Sequence, residues 1–191
     1  MKKFKSLLLF SFILASLTVV VSCKKEHDPK EDAEEQNDAV IEDRDTEKDA
    51  DFLVAAADIN MAEVKLGQLA QQKATTKEAK DLGKMMETAH SKAMEELTAL
   101  AAQKNITLPT GPSEKSTDEF NKLNENSGMD FDKEYCEMMV KGHKDAIDKF
   151  EKASADSEDA DIKAWATKML PDLKMHLEHS EMCKKVCDDK K

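Results

Sequence analysis

Four long segments between Phe52 and Cys187 carry apolar side chains at every third or fourth position. This spacing matches the period of an α-helix, so each segment would present one apolar stripe along its length. Such a stripe is stable only when it is buried against other helices. In the first segment the stripe consists of Phe52, Ala55, Ile59, Ala62, Leu66 and Leu69.

The four segments predict an all-α fold, a four-helix bundle over residues 51–188. Only 5% of the residues are aromatic, and 5 Gly and 4 Pro are too few for the many turns of an all-β fold. Residues 105–116 contain Pro109, Gly111 and Pro112 and show no helical period, which indicates a long connection between helices 2 and 3. Both an up-down-up-down order and a ferritin-like crossover are compatible with this connection.

Two local features modify this plan. Residues Thr117 to Asn124 are expected to form a short helix within the region between helices 2 and 3. Pro171 lies inside the fourth apolar stripe and is expected to kink or restart that helix, because proline lacks a backbone donor and clashes with the preceding turn.

The first 22 residues resemble the signal peptide of a bacterial lipoprotein. A lysine-rich start precedes an apolar run at residues 7–21, which is shorter than a membrane-spanning helix requires. Cys23 follows at the position of the acylated cysteine in a lipobox. We therefore expect removal of residues 1–22 and a fatty-acid anchor, such as palmitate, at Cys23. Lys24 stands where an inner-membrane retention signal would have Asp, which favours the outer membrane, on either its periplasmic or its surface face.

Residues 23–50 are rich in Asp and Glu and poor in large apolar side chains. Since such a segment buries too little surface to offset the entropy lost on ordering, the sequence predicts a disordered acidic tether. The whole chain has a formal net charge of -11. That charge argues against nucleic acid as a partner, because phosphates would be repelled and no basic stripe compensates. The sequence identifies no protein partner.

Three histidines fall on the apolar stripes of helices 2, 3 and 4, each near the middle of its helix: His90, His143 and His176. In a bundle of helices of similar length, the midpoints lie at similar heights, so these side chains should converge. Counting residues from the turns places His176 nearer to Met139 than to His143, about one helical turn away.

Carboxylates and thioethers near these histidines extend the candidate metal site. Glu63 lies beside the stripe of the first helix, and Glu87 precedes His90 by three residues, on the same side of helix 2. Imidazole with carboxylate suits Zn, Fe or Mn, whereas imidazole with thioether suits copper, so we expect a transition metal such as Cu, Zn or Fe. Further candidate ligands are Met86, Met139 and His179.

The pattern favours binding over catalysis. A di-iron centre of the ferritin type needs Glu-x-x-His on two helices, and only Glu87 with His90 provides that motif. The sequence shows neither a nucleophile with its base nor a glycine-rich phosphate loop. The alternative to a metal site is a core in which the histidines are hydrogen-bonded and the methionines fill space.

Three cysteines lie in the helical region: Cys136, Cys183 and Cys187. Cys183 and Cys187 are four residues apart, an awkward spacing for a disulfide within one helix. A disulfide from Cys136 to one of them requires that the two helix ends meet. The other arrangement is a soft-metal ladder of His176, His179 and the two cysteines, although one helix cannot surround an ion with all four side chains.

The chain resembles the bacterial domain-of-unknown-function family 4142 between Phe52 and Met182. The family implies a ferritin-like helical bundle in envelope proteins, often described as outer-membrane proteins, and implies no established reaction. The residues that carry the resemblance are Ala55-Ala56, Glu63-Val64, Leu66-Gly67, Leu69-Ala70, Lys73-Ala74, Met86 to His90, Leu97, Leu100, Phe131-Asp132, Tyr135, His143, Ile147, Phe150, Leu170-Pro171, Leu173 and His176-Leu177.

The resemblance also bears on the candidate ligands. Glu63, His90, His143 and His176 match the polar positions of the family pattern. Ala89 stands where an Asp is expected, so the resemblance implies no carboxylate there to orient His90.

These observations predict a lipid-anchored envelope protein that binds a transition metal between its helices for storage, sensing or resistance. The alternative is a metal-free structural or partner-binding lipoprotein of the outer membrane.

Overall fold

A computed structural model describes residues 27–190 of the chain. This part contains six α-helices, of which four have 28 to 30 residues and two are short. The signal peptide and Cys23 lie outside the described residues. The helices are α1 (Pro29–Asp38), α2 (Arg44–Lys73), α3 (Lys77–Lys104), α4 (Glu114–Glu125), α5 (Gly128–Asp156) and α6 (Ala160–Asp189).

The long helices form two pairs of consecutive elements, α2 with α3 and α5 with α6. In each pair a short turn reverses the chain. Thr76 begins α3 by accepting a hydrogen bond from the backbone of Ala79, and Asp159 begins α6 by accepting from the backbone of Ile162. Asp132 of α5 accepts hydrogen bonds from the backbone N–H groups of Thr75 and Thr76, so it ties the α2–α3 turn to the start of α5.

The directions of the long helices follow from contacts between the pairs. Lys104 at the end of α3 contacts Asp161 at the start of α6, so α3 and α6 run in opposite directions. Asp132 at the start of α5 contacts the end of α2, so α2 and α5 also run in opposite directions. Consequently α3 and α5 run the same way, and the connection between them, which includes α4, must cross the length of the molecule. Of the two helix orders open to the sequence, these directions correspond to the crossover.

Two glycines allow α2 and α3 to approach closely. A Cβ atom on Gly67 would lie 2.5 Å from the carbonyl oxygen of Gly83 and 2.9 Å from the backbone nitrogen of Glu87. A Cβ on Gly83 would lie 2.7 Å from the carbonyl oxygen of Gly67. Because the obstructing atoms belong to the backbone, they cannot rotate away, and both positions require glycine.

The interior consists of two apolar clusters with a polar layer between them. Along α3, Met86 belongs to one cluster and Leu97 to the other, and His90 lies between them. On α5 the same order runs from Met139 through His143 to Phe150. On α6, which is antiparallel to α5, the clusters follow in the reverse order along the chain, from Leu173 through His176 to Cys183. The buried polar residues of this middle layer are Asn60, Glu63, His90, His143 and His176.

The segment predicted to be a disordered tether is helical over much of its described part, and the prediction is corrected there. Residues 29–38 form α1, and α2 begins at Arg44. Asn37 is 2% exposed; its amide donates to the carbonyl of Thr107 at 3.0 Å and accepts from the backbone of Thr107 at 2.8 Å. Asp28 caps α1 and accepts from the backbone N–H of Glu114. Specific polar contacts, together with the burial of small apolar residues such as Ala33, hold this acidic segment against the rest of the molecule.

Two other expectations can be compared with the structure. The short helix expected at residues 117–124 is present as the longer α4. Helix α6 continues through Pro171 without a restart, from Ala160 to Asp189. None of the helices at residues 27–190 is both long enough and apolar enough to cross a membrane.

The glycine contact between α2 and α3 leads to a stability prediction. Gly67→Ala should lower the free energy of unfolding by about 1–3 kcal/mol, because overpacking against backbone outweighs the helix-propensity gain of about 1 kcal/mol. Gly111→Ala is the control, since its Cβ would meet only Pro29, at 4.0 Å. Urea unfolding of both variants checks this, and equal stability of the two would contradict it.

Candidate metal site

The structure brings the rings of His90, His143 and His176 together in the polar layer. Their centroids are separated by 5.6 Å for His90 and His143, and by 5.4 Å for each of the other two pairs. One potential ligand atom from each ring lies within 4.8 Å of the other two. All three side chains are buried, with exposures of 3%, 1% and 3%.

His176 lies level with His143, not one turn away as the residue count predicted. In a helix, each Cα–Cβ bond tilts towards the N-terminus of that helix. Since α5 and α6 run in opposite directions, this tilt moves the His143 ring away from the α5–α6 turn and the His176 ring towards it. The two displacements add and remove the offset that counting Cα positions gave.

Hydrogen bonds fix which ring nitrogen carries the proton in two of the histidines. Asn60 donates through its amide nitrogen to the carbonyl of Ala56 at 2.9 Å, which leaves its amide oxygen facing Nδ1 of His90 at 2.8 Å. His90 must therefore donate from Nδ1. Nδ1 of His143 lies 2.8 Å from the carbonyl of Met139, which can only accept. In the neutral form, both rings therefore have a free lone pair on Nε2.

Three ring nitrogens in this layer are buried without a hydrogen-bond partner among the described residues. They are Nε2 of His90, Nε2 of His143 and Nδ1 of His176. An unpaired buried polar atom costs about 1–3 kcal/mol, so three together are unusual unless something else pairs with them. A metal ion can pair with imidazole nitrogens of this kind, and the hydrogen bonds above leave lone pairs free on two of the three rings.

Burial keeps the three imidazoles neutral. Loss of hydration lowers the pKa of His90 well below its usual value, and the neighbouring His143 and His176 lower it further. Burial lowers the pKa of His143 to about 4. Burial also lowers the pKa of His176, which Asp172 opposes. Neutral imidazole is the form that binds metal, so the site is ready to accept a cation at neutral pH without first releasing protons.

Glu63 lies at the edge of the histidine cluster. Its Oε1 is 3.9 Å from Nδ1 of His143, and its Oε2 is buried without a partner in the described chain. Gly142 makes room for this carboxyl, since a Cβ there would lie 3.3 Å from Oε1. Burial raises the pKa of Glu63 to about 8, and the charge of Glu119 adds to the rise. Glu63 is therefore a neutral acid beside the histidines and would become a ligand only on losing its proton.

Of the other predicted ligands, Glu87 and His179 do not join the three-histidine cluster. Glu87 is held by the amides of Gln68 and Gln71, at 2.8 and 2.7 Å, and these bonds lower its pKa. Met86 and Met139 are buried in the adjacent apolar cluster. His179 is half-buried and lies outside the group of converging ligand atoms.

A groove between α3 and α6 leads to two of the three rings. It has a volume of about 560 Å³, and its lining includes His90, His176 and Trp165. Lys168 of α6 bonds to Glu96 of α3 at 2.8 Å along the same groove. The groove gives the buried histidines a route to solvent, which an exchangeable ion requires.

Sequence reasoning missed Asn60, which orients His90. The resemblance pointed to Ala89 as the place of an orienting carboxylate, but the orienting side chain lies on the preceding helix. The available signal was spacing, since Asn60 stands three residues before Glu63 and therefore on the same side of α2.

Glu63 gives the metal-free protein a stability that depends on pH. The folded state keeps this proton up to about pH 8, whereas the unfolded chain loses it near pH 4.5, so stability falls as pH rises between these values. The histidines act oppositely, but only below their unfolded pKa of about 6.5. Between pH 6.5 and 8, stability should fall by about 1–2 kcal/mol in the protein and remain nearly flat in Glu63→Gln.

Urea unfolding in the presence of a chelator measures this difference. The groups facing Glu63 are His143, Tyr135 and Glu119. His143 is neutral throughout that pH range and burial raises the pKa of Tyr135 above it, so neither titrates between pH 6.5 and 8. A fall of equal size in Glu63→Gln would assign the effect to another group.

Comparison with known proteins adds a family and no function. No curated protein and no solved structure matches the chain. The family described as Domain of unknown function (DUF4142) matches residues 34–182, which include α2 to α5, the second half of α1, most of α6, and all three histidines of the cluster. The chain therefore belongs to the DUF4142 family.

Proposed function

We propose that this protein is a ferritin-like, lipid-anchored envelope protein that binds one transition-metal ion at His90, His143 and His176. The role would be storage, sensing or resistance rather than turnover. Four long helices in two hairpins, with a crossover between α3 and α5, support a ferritin-like four-helix bundle to which α1 and α4 are added.

The observation that carries the proposal is the set of three buried ring nitrogens without a partner in the described chain. Asn60 and the Met139 carbonyl hold two of these rings with their lone pairs free. Orientation of ligand histidines by such hydrogen bonds is common in metal sites, where it increases ligand basicity. In a metal-free core these nitrogens would have to pair with water from the groove or stay unpaired, at a cost of about 1–3 kcal/mol each.

The ligand set favours Zn²⁺ or copper over a di-iron centre. Three imidazoles leave a fourth position open for water or for Glu63, the pattern of an exchangeable or reactive site rather than a closed structural one. Only one buried carboxyl, Glu63, lies beside the histidines, and Glu87 is bound to glutamines. A di-iron site needs several bridging carboxylates, which this layer does not supply.

The proposed anchor rests on the sequence. The basic start, the apolar run and Cys23 support acylation at that cysteine, with delivery to the outer membrane. A membrane anchor is compatible with the described helices, which lie outside the lipid in this proposal.

Metal content provides the first test. Protein purified without an affinity tag should retain about one metal ion per chain, and a His90→Ala/His176→Ala double variant should lose it, because two of three ligands are gone. His179→Ala is the matched control on the same helix as His176 and should keep the ion. Elemental analysis by mass spectrometry measures the result. Unchanged metal content in the double variant would refute the proposal.

Thermal stability separates the proposal from the metal-free alternative. Zn²⁺ at about 100 times its dissociation constant should stabilise the chelator-treated protein, kept free of reductant, by ~2.7 kcal/mol, and the double variant under the same conditions should not respond. If neither metal addition nor chelation moves Tm in the wild-type protein, a metal-free structural role is favoured.

Membrane attachment is tested separately. In cells of a bacterium that processes lipoproteins, the protein should incorporate labelled palmitate and sediment with outer membranes. Cys23→Ser should remove both properties, because the acylated sulfur is absent. Cys187→Ser serves as the control for loss of a cysteine. Palmitate incorporation in Cys23→Ser would contradict the assignment of the anchor.

A further inference from the structure

A second cluster of potential metal ligands lies in the apolar cluster that contains Met86. Cys136 of α5 faces Cys183 and Cys187, which stand one turn apart on α6. The three sulfur atoms lie within 4.8 Å of one another, and all three residues are buried. Cys183 is seven residues beyond His176, about 10 Å along the helix, so this cluster is separate from the histidines.

Cys136 and Cys183 form a disulfide, which is the cross-helix pairing that the sequence left open. Cys187 remains a thiol, and its sulfur is 3.9 Å from that of Cys136. A disulfide between α5 and α6 accounts for two cysteines. It does not account for the third, which occupies a fully buried position beside the bond.

The distances match a thiolate metal site. Thiolates about 2.3 Å from a tetrahedrally coordinated ion lie about 3.8 Å apart. Cys187 and Cys136 already have this separation. The hydroxyl of Thr76 is 3.8 Å from the Cys187 sulfur and is a neighbouring oxygen of the cluster.

The charged and polar groups around Cys187 act in both directions, since Thr76 and Lys190 favour a thiolate and Asp132 and Glu78 disfavour it. Thr76 is the N-cap of α3, so the positive end of that helix dipole is directed at this region. Asp132 is the nearby carboxylate, and it is bound by the backbone N–H groups of Thr75 and Thr76. Burial raises the pKa of the Cys187 thiol, so without an ion this side chain remains protonated at neutral pH.

We propose that the reduced form of this cluster binds a thiophilic d¹⁰ cation such as Zn²⁺ through Cys136, Cys183 and Cys187, and that the Cys136–Cys183 disulfide closes the site. The protein would then carry two metal sites, one of imidazoles and one of thiolates. Only the thiolate site depends on redox state.

The chemistry balances as follows. A dithiol reductant gives two electrons and two protons to the Cys136–Cys183 bond, which breaks to two thiols while the reductant becomes a disulfide. The bound Zn²⁺ then displaces three protons from the three thiols, and three Zn–S bonds form. In the reverse direction a small disulfide takes two electrons and two protons and becomes two thiols, the Cys136–Cys183 bond re-forms, Cys187 takes up one proton, and the ion is released. Cys187 is essential because the disulfide sulfurs alone would provide only two ligands.

Titration with Cd²⁺, a spectroscopic substitute for Zn²⁺, tests the proposal. The otherwise intact protein carrying Cys23→Ser is reduced with a phosphine, freed of reductant without air, and titrated while the thiolate-to-cadmium absorption is recorded. About one equivalent should saturate the band in the reduced protein, and the oxidised protein should give none. Cys187→Ser should reduce the amplitude by about a third and weaken binding at least tenfold.

One further variant and one measurement separate this site from the histidine cluster and from a loss of folding. His90→Ala should leave the thiolate band unchanged, which separates this site from the histidine cluster. The oxidised Cys187→Ser protein keeps its disulfide, so its helical circular dichroism should match that of the parent. Absence of the band in reduced protein overturns the proposal, as does an equal band in Cys187→Ser. A reduced chain that loses helix and does not recover it with Cd²⁺ also overturns it.

Discussion

The loss of hydration at three imidazoles is the constraint on which the centre of this molecule depends. His90, His143 and His176 lie buried between two apolar clusters, and a groove to solvent reaches two of the three rings. Burial holds the three rings neutral, and the hydrogen bonds to His90 and His143 direct two of their lone pairs. An apolar interior of this kind tolerates such a layer only if its free lone pairs find a partner, which links the packing of the helices directly to ligand binding.

Much of the fold follows from the spacing of apolar residues. The four stripes predicted the four long helices, because an amphipathic helix has few ways to bury its face. The order of those helices could not be read from the stripes. It depends on pairwise contacts such as Lys104 with Asp161 and Asp132 with the α2–α3 turn. Helix α1 could not be predicted from composition, because its docking depends on particular contacts, such as the hydrogen bonds that Asn37 and Asp28 form with distant backbone.

The three histidines of the candidate site could be predicted from the sequence, but the full ligand set and the geometry could not. Three histidines at mid-helix positions indicated convergence, and the structure brings them together. Counting Cα atoms misjudged the level of His176, since it ignored the opposite tilt of side chains on antiparallel helices. The contact of Asn60 with His90 and the space that Gly142 leaves for Glu63 each involve two different helices. The pattern within a single segment therefore could not reveal them. The closeness of Cys187 to Cys136 likewise follows from the packing of α5 against α6 and not from the sequence of either helix.

The docking of α1 would limit how far the folded part could extend from the lipid anchor that we propose at Cys23. Five residue steps separate Cys23 from Asp28, which is already bonded to the start of α4. An extended chain covers at most ~3.6 Å per residue, so the distance from Cys23 to Asp28 is at most about 18 Å. A protein anchored in this way would stay close to the bilayer, with the α3–α4 connection facing the headgroups. It could not extend further into the envelope.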